Sequence, residues 1–338
     1  MTPLLYEIPE KFLSGIASGN LKLYGAILKN TVTGQILAHV QPTSVLDKLL
    51  ASTLQGVSTT ISQGFNPLGI LTTIQNEQIK SRLTAMNTTL GVMQNLQVGT
   101  LAVSGLGLGV SVAGFALMLK RLKAIEAHLH ELGGRIERVT SDRRSDDLET
   151  IFADIATDLE TIDTLYARRS AQQVAEAAQV SLFRSASRLR PHFKRVAAKD
   201  EDLTHEDLDL LWSLASAIRL CSDAGFKALL HIDELAVAAD IARKEAERFA
   251  ELSDPLAPDR LARLCSKSAD GFNQMTELRT VALGKARILT NGLRDSAIQT
   301  ASHMSLANTL IERGISGQKY LEEAEQEQGR PLLMLPAQ

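Results

Sequence analysis

The sequence contains an uninterrupted run of apolar and small residues, VGTLAVSGLGLGVSVAGFALML, from Val98 to Leu119. It lies within 37 consecutive residues without a formal charge. A helix of about 20 apolar residues is long enough to cross the hydrocarbon core of a bilayer. Three cations follow at once, Lys120, Arg121 and Lys123. Such a cluster is typical of the contact between a membrane-crossing helix and anionic lipid headgroups. The run therefore predicts a segment that inserts into a membrane.

The glycines of this run predict close packing of the inserted helix. Gly105 and Gly109 have the GxxxG spacing that lets two helix backbones approach each other. The residues that we expect to insert or to pack are Val98, Leu101, Val103, Gly105, Leu106, Gly107, Leu108, Gly109, Val110, Val112, Gly114, Phe115, Leu117 and Leu119. The same glycines also allow a helical hairpin, with its bend at 105–109 and its arms at 86–104 and 110–119.

A hairpin buried in the centre of a helical bundle is the alternative interpretation, since uninterrupted apolar helices also occur in large cores. The composition of the neighbouring segments favours insertion into a membrane. Their polar positions carry Ser, Thr and Gln in place of Glu and Lys, and a face without charges suits a helix that passes into a bilayer or lines a channel.

The charged residues divide the chain near Lys120. Ten charged side chains occur up to Leu119, whereas the remaining 219 residues carry 65. The total of 36 basic and 39 acidic residues hides this difference in a net charge of -3. A near-neutral balance with 4% aromatic residues disfavours a nucleic-acid partner. Cys221 and Cys265 are too few for a disulfide framework, so we expect both to be buried in a protein of a reducing compartment.

Helical patterns dominate the chain and predict a mainly α-helical, elongated bundle. Apolar residues recur at heptad-like spacing over 79–93, and again in steps of three and four at Phe115, Met118, Leu122, Ile125, Leu129, Leu132, Ile136 and Val139. Both series predict long helices with coiled-coil seams. Residues 21–29 and 35–40 flank an Asn/Thr/Gly turn and predict one β-hairpin.

These patterns predict four regions. Residues 1–45 hold the β-hairpin, residues 46–140 the uncharged amphipathic helices with the insertion segment at about 98–119, residues 141–330 a charged helical bundle, and residues 331–338 a tail. The helical period is lost from Glu322 to Gln338, and we expect these last residues to fray. Breaks in the bundle are expected at Pro191, 199–202, 253–255, Gly271 and Gly314. Acidic residues follow Thr204 in the sequence, and this pattern predicts that Thr204 is a helix N-cap.

No constellation of residues predicts catalysis, a metal site or a cofactor. The chain has no HExxH and no GxxxxGK[ST] motif, and the glycines at 105–109 lack the spacing of a dinucleotide-binding turn. The basic run from Arg184 to Lys199 fits either an anionic surface or a solvated face paired with acids at 200–202 and 207–209. The first residues have no basic region or apolar stretch of a signal peptide, so we expect synthesis in the cytoplasm.

The layout of 98–119 with its flanking heptads resembles α-helical pore-forming toxins, in which coiled-coil helices hide an apolar segment until it inserts. The resemblance implies a membrane-permeabilising protein that acts on a lipid bilayer and assembles with copies of itself or with a related helical protein. We expect no small-molecule substrate. A soluble coiled-coil scaffold or adaptor of a larger assembly, with the apolar segment buried, is the alternative function. A permanently anchored protein with one membrane span is a third.

Overall fold

The computed structural model describes residues 4–43 and 142–336, apart from residues 25, 166–167, 202, 268, 270, 328–329 and 331. These residues form eight helices and four strands. In chain order they are α1 (Glu10–Ala17), β1 (Leu21–Tyr24), β2 (Ile27–Asn30), β3 (Ile36–Pro42), α2 (Asp142–Asp163), α3 (Ala171–Ala197), α4 (His205–His231), α5 (Leu235–Ser253), α6 (Pro258–Cys265), α7 (Phe272–Arg313), α8 (Gly317–Gln326) and β4 (Leu332–Pro336).

Helix α4 forms the centre of the helical body. It packs against α2, α3, α5, α7 and α8, and nearly every side chain from Leu211 to Leu230 is buried. A helix that is apolar on all its faces has to be surrounded. Its start is fixed by a capping box, in which the Thr204 hydroxyl accepts a hydrogen bond from the Asp207 N–H and the Asp207 carboxylate accepts one from the Thr204 N–H.

The four strands form one antiparallel sheet in the order β1-β2-β3-β4. The C-terminal strand pairs with β3, so Leu333 lies opposite Gln41 and Leu335 opposite His39. One face of the sheet packs on α1 through a small apolar cluster. The other face meets α7 and α8, where His39 Nε2 lies 3.1 Å from Thr309 Oγ1 and the Tyr320 hydroxyl donates to Gln41.

The prediction of a single N-terminal hairpin and a frayed tail is wrong in detail. The run 21–29 forms two strands, β1 and β2, and the tail 331–338 contains β4. Leu333, Met334 and Leu335 are buried, and this burial orders the C-terminus. The pairing of β3 with β4 joins residues almost 300 positions apart, which local patterns do not reveal.

The break predicted at Pro191 is also wrong, because α3 continues through it. Leu189 and Phe193 on either side are fully buried, and this packing outweighs the local cost of a proline inside a helix. The mainly helical class is confirmed, as are the other breaks, the Thr204 cap and the burial of both cysteines. The predicted coiled-coil seams at 79–93 and 115–139 lie outside the described residues.

Candidate functional site

The predicted insertion residues from Val98 to Leu119 and the predicted headgroup contacts Lys120, Arg121 and Lys123 lie outside the described residues. Among the helices of 4–43 and 142–336, none combines the length and the apolarity that a membrane crossing needs. Even α7, with 42 residues, carries charged side chains along its length. The prediction of a pore-forming, membrane-permeabilising protein is thereby contradicted, and we correct it.

The described helices instead contain a band of polar side chains between two apolar clusters. On α7, Leu289 and Leu293 belong to one cluster, and Leu306 and Leu310 to the other. The buried residues between them are polar. We call this band, together with the α4 residues that face it, the polar layer: Arg219, Asp223, Ser296, Gln299, Thr300 and His303.

Arg219 is the centre of the polar layer, and its side chain is 1% exposed. Its Nε donates to Asp223 Oδ2 at 2.8 Å, and its Nη1 donates to the Ser296 carbonyl at 2.9 Å and to Thr300 Oγ1 at 3.2 Å. The Phe249 ring lies 5.9 Å from the guanidinium carbon. A buried charge of this kind is tolerated only with such partners, so the layer fixes how α4, α5 and α7 align.

His303 closes the layer on the side of the second apolar cluster. Its ring stacks on Phe226 with the centroids 4.6 Å apart. Burial, and after it the positive charge of Arg219, holds the pKa of His303 well below its usual value. The imidazole is therefore neutral at physiological pH.

A second buried ionic cluster lies beside the first. The carboxylate of Glu245 on α5 accepts hydrogen bonds from Arg190, Arg248 and Ser222. Cys221, the neighbour of Ser222, is completely buried, and this burial raises the pKa of its thiol. Burial likewise raises the pKa of Cys265 to about 12. Both thiols are protonated at neutral pH and are poor nucleophiles, because the thiolate is the reactive form.

Neither cluster resembles a metal centre. Within 4–43 and 142–336 the structure brings together no group of three His, Cys, Asp or Glu side chains that could hold a metal ion. The buried carboxylates of Asp223 and Glu245 are instead bound by arginines. The arrangement suits fixed helix alignment better than proton transfer, nucleophilic attack or metal binding.

An open cleft of about 730 Å³ lies where the two ends of the described chain meet. The backbones of Tyr6 and Met334 hydrogen-bond to each other there, at 2.9 and 2.8 Å. Its apolar lining comes from Leu5, Tyr6, Pro9, Leu333, Met334 and Pro336, and its polar lining from Glu7, Glu323, Gln326, Glu327 and Arg330. We call it the terminal cleft.

The terminal cleft has an acidic rim. Glu323 Oε1 accepts from the backbone N–H groups of Leu4 and Leu5, at 2.6 and 3.2 Å. Glu7 forms an ion pair with Arg330 at 3.2 Å, in which both side chains are more than half exposed. Three carboxylates and one guanidinium line the cleft, and Tyr6 beside them is 44% exposed. This surface complements a ligand that carries positive charge next to an apolar group.

The basic run 184–199 is largely paired with acids. Arg188 bonds to Asp147 and Asp154, and Lys199 bonds to Asp207 at 2.8 Å. Arg190 is buried against Glu245. The ion pair of Lys199 with Asp207 agrees with the interpretation of the run as a solvated face paired with acids at 200–202 and 207–209. The pairs with acids on α2 and α5 were not part of that interpretation.

Comparisons with models of protein families, with curated proteins and with solved structures found no match for this chain. Nothing in them bears on the resemblance to pore-forming toxins. Sequence reasoning missed both the polar layer and the terminal cleft. A signal for the layer was present, since the pair Arg219 and Asp223 stands at helical spacing within an apolar helix. No comparable signal marked the cleft, because it is built from the two ends of the chain.

Proposed function

We propose that the chain is a non-enzymatic helical scaffold that binds a segment of a partner protein in the terminal cleft. The observation that carries this proposal is the acidic rim of Glu7, Glu323 and Glu327 beside the exposed ring of Tyr6. An open cleft of this composition suits a flexible segment with a basic and an apolar side chain better than a small molecule, which is usually enclosed.

Two further observations support a scaffold. The buried histidine and cysteine of the described core are held in unreactive protonation states, and the buried ionic clusters fix the alignment of the helices. The coiled-coil seams predicted at 79–93 and 115–139 suit an elongated assembly component.

The test measures, by fluorescence anisotropy at low salt, how tightly two labelled 12-residue peptides bind to the full chain. One peptide alternates Leu and Lys, and the other alternates Leu and Glu. We expect the Leu/Lys peptide to bind at least tenfold more tightly, because the rim is acidic. The charge reversals Glu7→Lys and Glu327→Lys together should weaken binding of the Leu/Lys peptide about tenfold.

The matched control is Glu176→Lys, which reverses an exposed carboxylate on α3 and should leave the peptide affinity unchanged. Equal affinity for the two peptides would overturn the proposal, as would equal losses in the control and in the cleft variant. A Tyr6→Ser variant should weaken binding of the same peptide, since the ring supplies much of the exposed apolar surface.

A further inference from the structure

The backbone at Tyr6 extends the sheet beyond β4. The Tyr6 N–H donates to the Met334 carbonyl at 2.9 Å, and the Met334 N–H donates to the Tyr6 carbonyl at 2.8 Å. This exchange of two bonds is the hydrogen-bonded pair of an antiparallel ladder. The chain around Tyr6 therefore forms the edge of the sheet next to β4, and we call residues 5–7 the outer edge.

The backbone groups on both sides of Tyr6 point away from β4. Successive residues of a ladder alternate between those that bond to the neighbouring strand and those that do not. Leu5 and Glu7 therefore direct their N–H and C=O groups outward. The Leu5 N–H agrees with this orientation, because it donates to Glu323 Oε1 of α8 at 3.2 Å.

The outer edge offers three backbone groups for pairing. In the part of the chain that the structure describes, no hydrogen bond reaches the Leu5 carbonyl, the Glu7 N–H or the Glu7 carbonyl. Unpaired groups of this kind on a sheet edge are a template for an added strand. The edge is short, because Pro9 has no N–H with which to continue a ladder.

The outer edge borders the terminal cleft. Leu5, Tyr6 and Glu7 line the cleft together with Glu323 and Glu327. Neighbouring residues of a strand direct their side chains to opposite faces, and Leu5 is accordingly buried whereas Tyr6 is 44% exposed. A strand added to the outer edge therefore meets the Tyr6 ring on one face and the Glu7 carboxylate on the other.

We propose that the segment bound in the terminal cleft is a β-strand with alternating apolar and basic side chains, added to the outer edge. An apolar side chain packs beside Tyr6, and the basic side chain of the next residue reaches Glu7. The inference rests on the proposed function, to which it adds the conformation and the side-chain pattern of the ligand. Strand addition takes affinity from main-chain bonds and specificity from alternate side chains.

The pairing predicts which N–H groups of the segment carry the affinity. For both directions of the added strand, two N–H groups of the segment donate to the carbonyls of Leu5 and Glu7, and they belong to residues two positions apart. The N–H of the residue between them points away from the outer edge. A helical segment bonds its N–H groups to its own carbonyls and would leave the outer edge unpaired.

The first test places N-methyl groups on the Leu/Lys peptide and measures its affinity for the full chain by fluorescence anisotropy. One peptide is N-methylated at every Leu and the other at every Lys, so both keep all their side chains. We expect one of the two to bind at least tenfold more weakly than the unmodified peptide, and the other to stay within threefold. A shift of the peptide by two residues leaves this expectation unchanged.

The outcomes separate the added strand from the proposed function. Equal losses in the two methylated peptides, or no loss in either, would overturn the added strand but not binding in the cleft. If the unmodified Leu/Lys peptide binds no more tightly than the Leu/Glu peptide, both proposals are overturned.

The second test removes the backbone donor at Glu7. Glu7→Pro removes the N–H and the carboxylate, whereas the matched control Glu7→Ala removes only the carboxylate. The extended backbone of Tyr6 is the conformation that a following proline favours. We expect Glu7→Pro to bind the Leu/Lys peptide at least tenfold more weakly than Glu7→Ala, and equal affinities would count against the pairing.

The third measurement uses the wild-type chain, so it does not depend on how the proline variant folds. Amide hydrogen exchange at Glu7, followed by NMR, should slow at least tenfold when the Leu/Lys peptide is bound. The Gln172 amide is the matched control, since Gln172 is exposed in the first turn of α3 and does not line the cleft. Its exchange should be the same with and without the peptide. Unchanged exchange at Glu7 in the bound state would overturn the proposal.

Discussion

Helix α7 has opposite surfaces in its two parts. Between Ser296 and His303 its buried side chains are polar, whereas between Phe272 and Val281 it is mostly exposed and carries Phe272, Met275 and Val281 among polar residues. The buried polar part finds its partners on α4, above all Arg219, whose guanidinium donates to α7. The exposed apolar part has no such partner among the described residues.

The comparison teaches that burial alone does not make a helix face apolar, because a buried face is polar where its partner supplies polar groups. Where α4 supplies a charged side chain, polar residues on α7 are stabilising. Where α4 has not yet begun, the exposed start of α7 carries polar and apolar side chains together. Three changes would break or sharpen this contrast, and they follow in order of expected effect.

Removal of one partner from the polar layer should have the largest effect. Asp223→Ala leaves the Arg219 guanidinium buried without its carboxylate, and we expect the free energy of unfolding to fall by about 3–5 kcal/mol. Urea denaturation at pH 7 measures the change. The double variant Arg219→Met, Asp223→Ala removes both charges and should recover most of the loss. A single variant that costs less than about 1 kcal/mol would show that the layer is dispensable.

Acid should destabilise the protein through its buried histidines. Burial, followed by the charge of Arg313, lowers the pKa of His39 to about 4, and that of His303 is also lowered. Both are neutral in the folded protein, whereas the unfolded chain takes up protons near pH 6.5. Stability is therefore lost as the pH falls below 6.5, by about 2 kcal/mol at pH 5 from His39 alone.

The measurement for this prediction is urea denaturation of the wild type and of His39→Gln at pH 7 and pH 5. The variant cannot take up the proton, so its loss of stability between the two pH values should be about 2 kcal/mol smaller. His303→Gln should change in the same direction. An identical pH dependence in the variants and the wild type would show that the buried histidines are not the cause of the loss of stability in acid.

The smallest effect should come from the apolar residues exposed on α7. In the described body Phe272 is 76% exposed and Ile298 is 42% exposed, so burial there predicts a larger cost for Ile298→Ser. Ile298→Ser should therefore cost about 1 kcal/mol more than Phe272→Ser, because it returns more apolar surface to water. Thermal or urea unfolding of the two variants measures the difference, and a larger cost for Phe272→Ser than for Ile298→Ser would contradict the prediction.

Much of the helical body follows from local sequence signals. The Thr204 cap, the Gly271 and Gly314 boundaries and the buried cysteines were all predicted, because capping and chain breaks depend on neighbouring residues. The continuation of α3 through Pro191 was not, since it depends on the packing of Leu189 and Phe193 against other helices. The strand β4 was missed for a similar reason, because its partner β3 is remote in the chain.

The prediction of a pore-forming function was wrong for a different reason. The run 98–119 was weighed by its hydropathy, which reports how costly exposure to water is but not what covers an apolar segment. The corrected proposal depends on the terminal cleft, whose Glu7 and Glu327 come from opposite ends of the chain. No window of sequence contains both residues, so only the folded chain brings their charges together.

By itself the sequence determined the helical class, the contrast between a low-charge and a highly charged region, and the positions of most helix ends, since these depend on side chains close together in the chain. The tertiary structure alone decided that strands from both ends of the described chain share one sheet, that Arg219 and His303 meet in a polar layer, and that the first turns of α7 lie beyond the start of α4. Those features depend on contacts between distant residues, and such contacts are specified by the packing of whole helices.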